Sequence, residues 1–315
     1  IRETGKRHSL RREEYEGLPV YRVRLTAEDF DPQSVNFTHR AVEEHFKAVL
    51  KKISPDIVHF HNLVGLSVGL IHIAKKQGIK TVLTLHDYWG FCFKNTLLKN
   101  NNERCRDFTR CSGCREVIPC QDNRNIPIRM RQDFIAMQLE EIDAFISPSQ
   151  YLADQYVIAG LPREKIQIIW NGVDVEKFSK VAKVPDPDHI RFTFIGYFGT
   201  HKGIDILLDA LEHLEHTQDI AINLIGGGEL FSWYADKARE KKLDVVKFWG
   251  KIQNIEEAYA HTDVLVLPSI WPENQPVTIT EAMAAHIPVI ASDGGGIPEL
   301  IENGKTGFLF ASGNE

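Results

Sequence analysis

The sequence predicts an α/β protein made of two parallel-sheet units, and three observations carry that prediction. Short apolar, β-branched runs alternate with helical periodicities along most of the chain, as they do where helices cover both faces of a parallel sheet. The length of 315 residues corresponds to two domains, at the usual size of roughly 150 residues each. A polar stretch over 171–189, carrying Asn171-Gly172, Pro185 and Pro187, interrupts the alternation near its middle.

The elements follow in order. Val42, Phe46, Val49 and Leu50 recur at i, i+4, i+7 and i+8 and predict a first helix. Strands follow at 56–60, 80–85, 142–147 and 166–170. Beyond the break come a strand at 190–198 and a helix carrying Ile204, Leu207, Leu208 and Leu211. The remaining strands are 220–225, 245–249, 264–267 and 288–291. Asn303-Gly304 is a turn dipeptide before the apolar run 307–310, which predicts a hairpin. The break places one domain at 1–173 and the other at 174–315.

Composition narrows the function. With 43% hydrophobic and 25% charged residues, the chain can bury real cores and is no disordered or collagen-like protein. No apolar run approaches the roughly 20 residues of a membrane span. A net charge of −6 argues against a nucleic-acid binder, since phosphate contacts need a basic face. The charge is uneven. From Lys94 to Arg131, nine basic residues face four acidic ones, a net +5 that leaves −11 for the rest. Such an island either faces an anionic partner or is simply solvated.

All five cysteines lie in that same island, at 92, 105, 111, 114 and 120. Their clustering and odd number do not fit a secreted disulfide framework. Cys111-x-x-Cys114 has metal-ligand spacing, and Cys105, Cys92 or Cys120 could complete a tetrahedral thiolate site. Unligated thiols and redox chemistry are the alternatives.

Two phosphate-binding signatures fail on reading. Gly304-Lys305-Thr306 looks like the end of a P-loop, but Glu299 stands where its first glycine belongs. Glu299 also follows Gly294-x-Gly296 where a dinucleotide fingerprint needs glycine or alanine. What remains is glycine at strand ends: Gly196 and Gly199, Gly226 to Gly228, and Gly294 to Gly296. At that edge of an open sheet, backbone N–H groups and helix N-termini meet anions. Three such sets point to a nucleotide or another phosphorylated ligand.

Glu273 and Glu281 stand eight apart, about 12 Å along a single helix. Pro276 between them suits a first helical turn, which leaves Glu273 in a strand-end loop and Glu281 a turn into the helix. Flanking a helix N-terminus, such a pair could hold sugar and ribose hydroxyls with phosphates on the dipole between; a solvated pair is the alternative. His86 ends the 80–85 strand, where a cleft would open, or merely caps and packs there. His59 and His61 share one strand face and read as structural polar contacts. The triplets Asp29/Asp31 and Asp186/Asp188 read as solvated loop residues.

Together these residues resemble the retaining glycosyltransferases of family 4. The resemblance runs from Asp56 to the end. In the first half it rests on Asp56-Ile-Val-His-Phe-His61, Thr84-Leu-His-Asp-Tyr-Trp89, Ser147-Pro-Ser149 and Asn171-Gly-Val-Asp174. In the second it rests on Lys202-Gly203, Gly226-Gly-Gly228, Glu273-x7-Glu281, Glu281-Ala-Met283, Pro288-Val-Ile290 and Gly295-Gly-Ile-Pro-Glu299. It implies the GT-B architecture, two Rossmann-like domains with parallel sheets facing each other across a cleft, the first on the acceptor side and the second on the donor side. Family members open with a strand and a Gly-rich loop and close with a helix crossing back. Neither is legible here, so the chain reads as truncated at both ends.

Carried over by position, Lys202 resembles the lysine that neutralises the donor diphosphate, Glu273 the carboxylate on the sugar hydroxyls, and Glu281 the ribose-binding acid. His86 resembles the histidine beside the transferred sugar, reaching across the cleft. Gly199 and the backbone of Gln275, Val277 and Thr278 would meet sugar and phosphate, and Gly250 to Ile252 the base. Tyr197 stands where the family carries an arginine, with His201 as a substitute, and Pro276 replaces a more usual glycine.

The resemblance thus implies a retaining hexosyltransferase that uses a nucleotide-diphosphate sugar and needs no metal or other cofactor for catalysis. Its acceptor would be a glycan or lipid-linked molecule in polysaccharide, lipopolysaccharide or other glycoconjugate synthesis. It would work in the cytoplasm or at the inner face of the membrane, with the basic island meeting an anionic acceptor or the membrane. A nucleotide-sugar epimerase or phosphorylase on the same fold, or a non-catalytic sugar-binding relative, are the alternatives.

Overall fold

The computed structural model describes residues 6–26, 29, 38–63, 65–108, 111, 114, 117–119, 125–214 and 217–314. It divides into two compact units. The first comprises Ile1–Asn95, Cys105–Ser147 and Ala153–Ile168; the second comprises Thr96–Arg104, Pro148–Leu152 and Ile169–Glu315.

In the first unit, Leu10–Tyr15 (β1) and Leu18–Val23 (β2) pair antiparallel. Arg40–Ile53 (α1) buries Val42 and Leu50, and the His39 ring accepts the Val42 N–H at its start. Next come Ile57–Phe60 (β3), Leu70–Lys76 (α2) and Lys80–Thr84 (β4). The short pair Val117–Pro119 (β5) and Asn125–Pro127 (β6) precedes Ile128–Glu140 (α3), Ala144–Ser147 (β7), Gln150–Ile158 (α4) and Ile166–Ile168 (β8), with the first turn of α4, up to Leu152, counting with the second unit. The sheet runs β3-β4-β7-β8, every neighbour parallel. Ile71, Tyr88, Ile142 and Phe145 are fully buried in this unit.

The second unit continues with Val175–Ser179 (α5), Ile190–Tyr197 (β9), Ile204–Ala210 (α6), Ile220–Gly227 (β10) and Phe231–Glu240 (α7). Val246–Gly250 (β11), Ile255–Ala260 (α8), Val264–Leu267 (β12), Val277–Ala284 (α9), Val289–Ser292 (β13) and Gly307–Phe310 (β14) complete it. Its six strands are all parallel, in the order β11-β10-β9-β12-β13-β14. Phe194, Leu224, Leu265, Val289 and Ala291 from these strands form one core with Leu208, Tyr259 and Ile279 from the helices. Connections reverse on either side of β9, so the C-terminal ends of β9 and β12 border the topological switch point, the usual ligand edge of an open sheet.

Three expectations are corrected. The run 307–310 forms no hairpin: β14 lies parallel to β13, because the preceding residues form a 3-10 turn, Ile297–Glu299, and leave no antiparallel partner. The Asn303-Gly304 turn itself is present, with the Gly304 N–H on the Gly307 carbonyl at 2.8 Å. Asp29 is not solvated but 5% exposed. Burial alone would raise its carboxyl, yet hydrogen bonds from Arg7, Thr26, His8 and His39 hold it far below the usual range. Asp31 lies outside the described residues. The basic island is solvated only in part: Lys94, Arg104, Arg106 and Arg129 are exposed, whereas Arg131 is buried.

Asp143 joins α2 to β4. It accepts from Lys75 at 2.8 Å, from the Thr81 N–H at 2.8 Å and from the Thr81 hydroxyl at 3.1 Å. Against partial burial, these donors pull its carboxyl from 3.8 down to about 2. A depressed acid stabilises the fold above its unfolded value and loses that contribution as pH falls through the folded one. Urea midpoints should therefore drop between pH 4 and pH 2 more steeply in wild type than in Asp143→Asn, a difference that parallel curves would refute.

Candidate donor-binding site

At the switch point, β9 leads through Gly199 into the 3-10 turn Thr200–Lys202, and β12 leads into the loop that carries Ser269 to Pro276. The turn and the loop are stitched together. The His201 carbonyl accepts the Ile270 N–H at 3.0 Å, and Lys202 Nζ donates to Glu273 Oε1 at 2.7 Å. Ser269 Oγ donates to the same Oε1 at 2.6 Å. The pair is sheltered, with side-chain exposures of 18% for Lys202 and 5% for Glu273. The Lys202 ammonium also sits 5.0 Å from the Trp271 ring centroid, a cation–π arrangement.

Gly203 makes this approach possible. It has φ +67, and a Cβ there would stand 1.9 Å from the Pro268 carbonyl oxygen. Gly203→Ala should cost more than about 1 kcal/mol of stability and push the Lys202 turn away from the Glu273 loop. Urea unfolding alongside donor titration checks both effects; unchanged values would show that the contact relaxes freely.

Beyond Glu273, Asn274 and Gln275 are buried and act as struts. Asn274 accepts from Ser149 Oγ at 2.8 Å, and Gln275 Oε1 accepts the Asn171 N–H at 2.5 Å. Pro276 then precedes α9, whose N-terminus no side chain caps. Val277 is exposed and Thr278 half-buried at that end. An uncapped helix N-terminus presents orphan N–H groups to an anion. Glu281, one turn along, accepts the Tyr259 hydroxyl at 2.7 Å. Burial first, and then Glu281, push that phenol well above its usual range.

His201 lies edge-on to Trp271 and stacked near Tyr197. Burial and then the Lys202 ammonium hold its imidazole below the ordinary range, so the ring is a neutral hydrogen-bonding group. Tyr197 is half-exposed and donates its hydroxyl to Glu229. Gly250 ends β11 with φ +74, and Ile252 packs its side chain toward the core, which leaves backbone as its polar offering. Gly226 and Gly295 serve backbone packing: a Cβ would meet the Gly196 carbonyl at 1.8 Å and the Glu273 carbonyl at 2.0 Å. An open cleft of about 630 Å³ adjoins this edge, lined by Asn101, Glu103, Asp205, Pro272, Asp293 and Ser312 among others.

The sequence model for glycosyltransferase family 4 matches residues 5–177, more than half the chain, and that for glycosyl transferases group 1 matches 175–315. The chain belongs to glycosyltransferase family 4.

Among curated family relatives, it is 29% identical over 302 residues to the sulfoquinovosyl transferase of Arabidopsis thaliana, covering 90% of this chain and 51% of that protein. It is 26% identical over 279 residues to an Escherichia coli UDP-Gal:alpha-D-GlcNAc-diphosphoundecaprenol alpha-1,3-galactosyltransferase, covering 83% and 64%. The chain thus spans about half to two thirds of these relatives. In fold it is similar to Anabaena HepE, solved in complex with UDP, with TM-score 0.64, 20% identity and 87% and 69% coverage. No described helix is long and apolar enough to cross a membrane.

In this family 4 chain His86 belongs to the first unit, exposed just beyond β4. Its Nε2 is 2.9 Å from His61 Nδ1, and His59 Nε2 is 2.8 Å from Thr84 Oγ1. Partial desolvation, then His61 and His59, lower the His86 imidazole, so it is neutral at neutral pH. The three histidines therefore form one row at the strand ends.

Several residues around the site escaped sequence reading. Ser269 had a signal, as the first polar residue after an apolar strand. Tyr259 had none, because its ring is core and only its hydroxyl reaches Glu281. Glu299 counted as a failed glycine position, yet its carboxylate accepts the Gln150 and Tyr151 N–H groups at 2.8 and 2.7 Å. A His8–Asp29–His39 group has metal-ligand proximity. But Arg7 occupies the same carboxylate oxygen at 2.7 Å, and His39 Nδ1 accepts a backbone N–H, which puts the proton on Nε2 facing Asp29. It is an ion-pair cluster in this geometry.

Proposed function

We propose that the chain carries the donor site of a retaining glycosyltransferase that moves a hexosyl group from a nucleotide-diphosphate sugar to an acceptor hydroxyl. The observation that supports this reading best is the sheltered Lys202–Glu273 pair three residues before the uncapped α9 N-terminus, with Glu281 one turn beyond. An ammonium and a helix N-terminus suit a diphosphate, and the two carboxylates suit the hydroxyls on either side of it.

In the step that follows from this layout, the anomeric carbon–oxygen bond breaks and its electron pair leaves with the diphosphate, whose growing charge meets Lys202. The acceptor oxygen bonds to the anomeric carbon on the same face, and its proton passes to the leaving phosphate oxygen. Glu273, its rotamer fixed by Ser269, holds the sugar as the ring flattens. The work is electrostatic positioning, and nothing in it calls for a metal. A glycan or lipid-linked acceptor in glycoconjugate synthesis fits the reactions named for the relatives.

Thermal unfolding with UDP, GDP and ADP sugars tests the donor site. A cognate donor at 100 times its Kd should stabilise the protein by about 2.7 kcal/mol, and no shift with any of them would remove the reading. Radiolabelled donor then identifies the chemistry. Transfer or slow hydrolysis supports glycosyl transfer, an epimerised donor replaces it, and binding without turnover makes the chain a sugar-binding relative.

A further inference from the structure

Residues 96–104 belong to the second unit and form a small finger there. Leu97 and Leu98 are buried at its root, an isolated bridge joins Leu98 to Arg104, and the Lys99 N–H donates to the Glu103 carbonyl at 2.8 Å. Its tip holds Asn102 at φ +63, and Asn101 Oδ1 accepts the Glu103 N–H at 3.2 Å. Both of its cations are engaged. Lys99 pairs with Glu103 at 3.2 Å, while Arg104 donates to the Tyr151 hydroxyl and lies 5.3 Å from that ring's centroid. Tyr151 is itself fixed, its N–H on Glu299 Oε1 at 2.7 Å. The finger is a built wall.

That wall borders the cleft of about 630 Å³, whose other side includes Asp205, Pro272, Asp293 and Ser312, a size usual for a small-molecule site. Its floor is tied to the donor machinery. Ser312 Oγ donates to the Ser269 carbonyl at 3.1 Å, and Ser269 Oγ to Glu273 Oε1 at 2.6 Å. Pro272 directly precedes Glu273, and Asp293 takes the Ser312 N–H at 3.0 Å. In the sheet order β9-β12-β13-β14, Lys202 follows β9 and Glu273 follows β12, while Asp293 and Ser312 follow β13 and β14. The cleft therefore prolongs the donor row on the side away from β10 and β11.

Its lining has a definite chemistry. Glu103, Asp205 and Asp293 bring carboxylates that accept from hydroxyls, the Asn101 and Asn102 amides donate and accept, and Ile270 and Pro272 offer apolar surface. Three acids against Arg104 give the lining a net charge of −2, which repels anions. A metal does not fit. Among the described residues the one group of three ligand atoms within 4.8 Å is His8, Asp29 and His39. Neither the acids of the cleft nor the four described cysteines, which form no disulfide, converge in that way.

We propose that this cleft binds an uncharged pyranose residue of the acceptor, held between the finger and the ends of β13 and β14, next to the sugar on Glu273. The proposal rests on the donor reading above, because only that reading makes the neighbouring ligand a glycosyl acceptor. Vicinal ring hydroxyls fit the mixture of carboxylate and amide, and the C–H face of the ring fits Ile270 and Pro272. Neutrality is the selective part, since a uronate meets two excess negative charges. The transferred sugar of the donor has the same chemistry and is told from an acceptor residue by competition.

Saturation-transfer NMR on the full chain tests this with the methyl pyranosides of glucose, galactose, mannose and N-acetylglucosamine. At least one should bind, and the same ring oxidised to its uronide should bind about tenfold or more weakly. Asn101→Ala should weaken the neutral sugar roughly 3–10-fold. Glu103→Gln combined with Asp293→Asn, which keeps an acceptor for the Ser312 N–H, should close the gap between uronide and neutral sugar, a gain that misfolding cannot produce. The glycoside should stay bound when the nucleotide sugar that stabilises the protein is added. Displacement by that nucleotide sugar, but not by its nucleoside diphosphate, would assign the cleft to the transferred sugar and overturn the proposal. So would a uronide that binds as tightly as the neutral ring, binding untouched by these variants, or no binding by any glycoside. The two readings fail separately. Stabilisation by a nucleotide sugar without glycoside binding removes the cleft and keeps the donor site; glycoside binding without that stabilisation removes the donor reading and with it the acceptor role.

Discussion

Replacing Lys202 with alanine is expected to lower kcat for glycosyl transfer by about 100-fold or more, with donor KM changed far less. The ammonium meets charge that grows on the leaving diphosphate, so its loss is felt most in the transition state. The structure adds a complication that the sequence could not. Glu273 Oε1 takes both Lys202 and Ser269, and it is nearly excluded from water. Removing the cation strands a buried carboxylate, and breaking such a pair from one side costs about 3–5 kcal/mol when both partners are fully buried. Lys202 keeps some exposure, so the stability cost should fall below that range. Urea titration must accompany the kinetics. Glu273→Gln keeps the shape and the Ser269 contact while removing the charge. It should likewise depress kcat, and the double variant should be far from additive because the two groups act as one unit. Near-full transfer activity in both single variants would show that the site is elsewhere on this sheet.

The second large effect belongs to Glu281. Charge-assisted hydrogen bonds to ribose hydroxyls contribute about 1.5–3 kcal/mol each and exist before and during the reaction. Glu281→Ala should therefore raise donor KM by about 10–100-fold and leave kcat nearly intact. Tyr259→Phe separates binding from positioning. It removes the hydroxyl that holds Glu281 Oε2 at 2.7 Å without touching the carboxylate, and should raise KM by a smaller factor. Steady-state kinetics with the cognate donor read both. An equal fall in kcat and kcat/KM for Glu281→Ala would instead place this carboxylate in the transition state.

Local pattern was enough for the strands of both parallel sheets other than β14. Apolar runs such as Val264–Leu267 can satisfy their backbone and bury both faces in few other ways. It was also enough to put Glu273 in a loop and Glu281 on a helix, because proline at 276 fixes where that helix can begin. The β1–β2 pair carried no such signal, since most of its residues face solvent and show no alternation. Tertiary structure alone decided which groups meet. Lys202 and Glu273 are 71 positions apart and touch because Gly203 admits the Pro268 carbonyl. Asp29 reads like any loop aspartate until Arg7, His8 and His39 converge on it and exclude water. The 307–310 run chose the parallel edge of β13 over a hairpin because a 3-10 turn left it no antiparallel partner. Sequence periodicity records which face of an element is buried. Which distant side chain fills that face is decided only when close-packing brings the elements together.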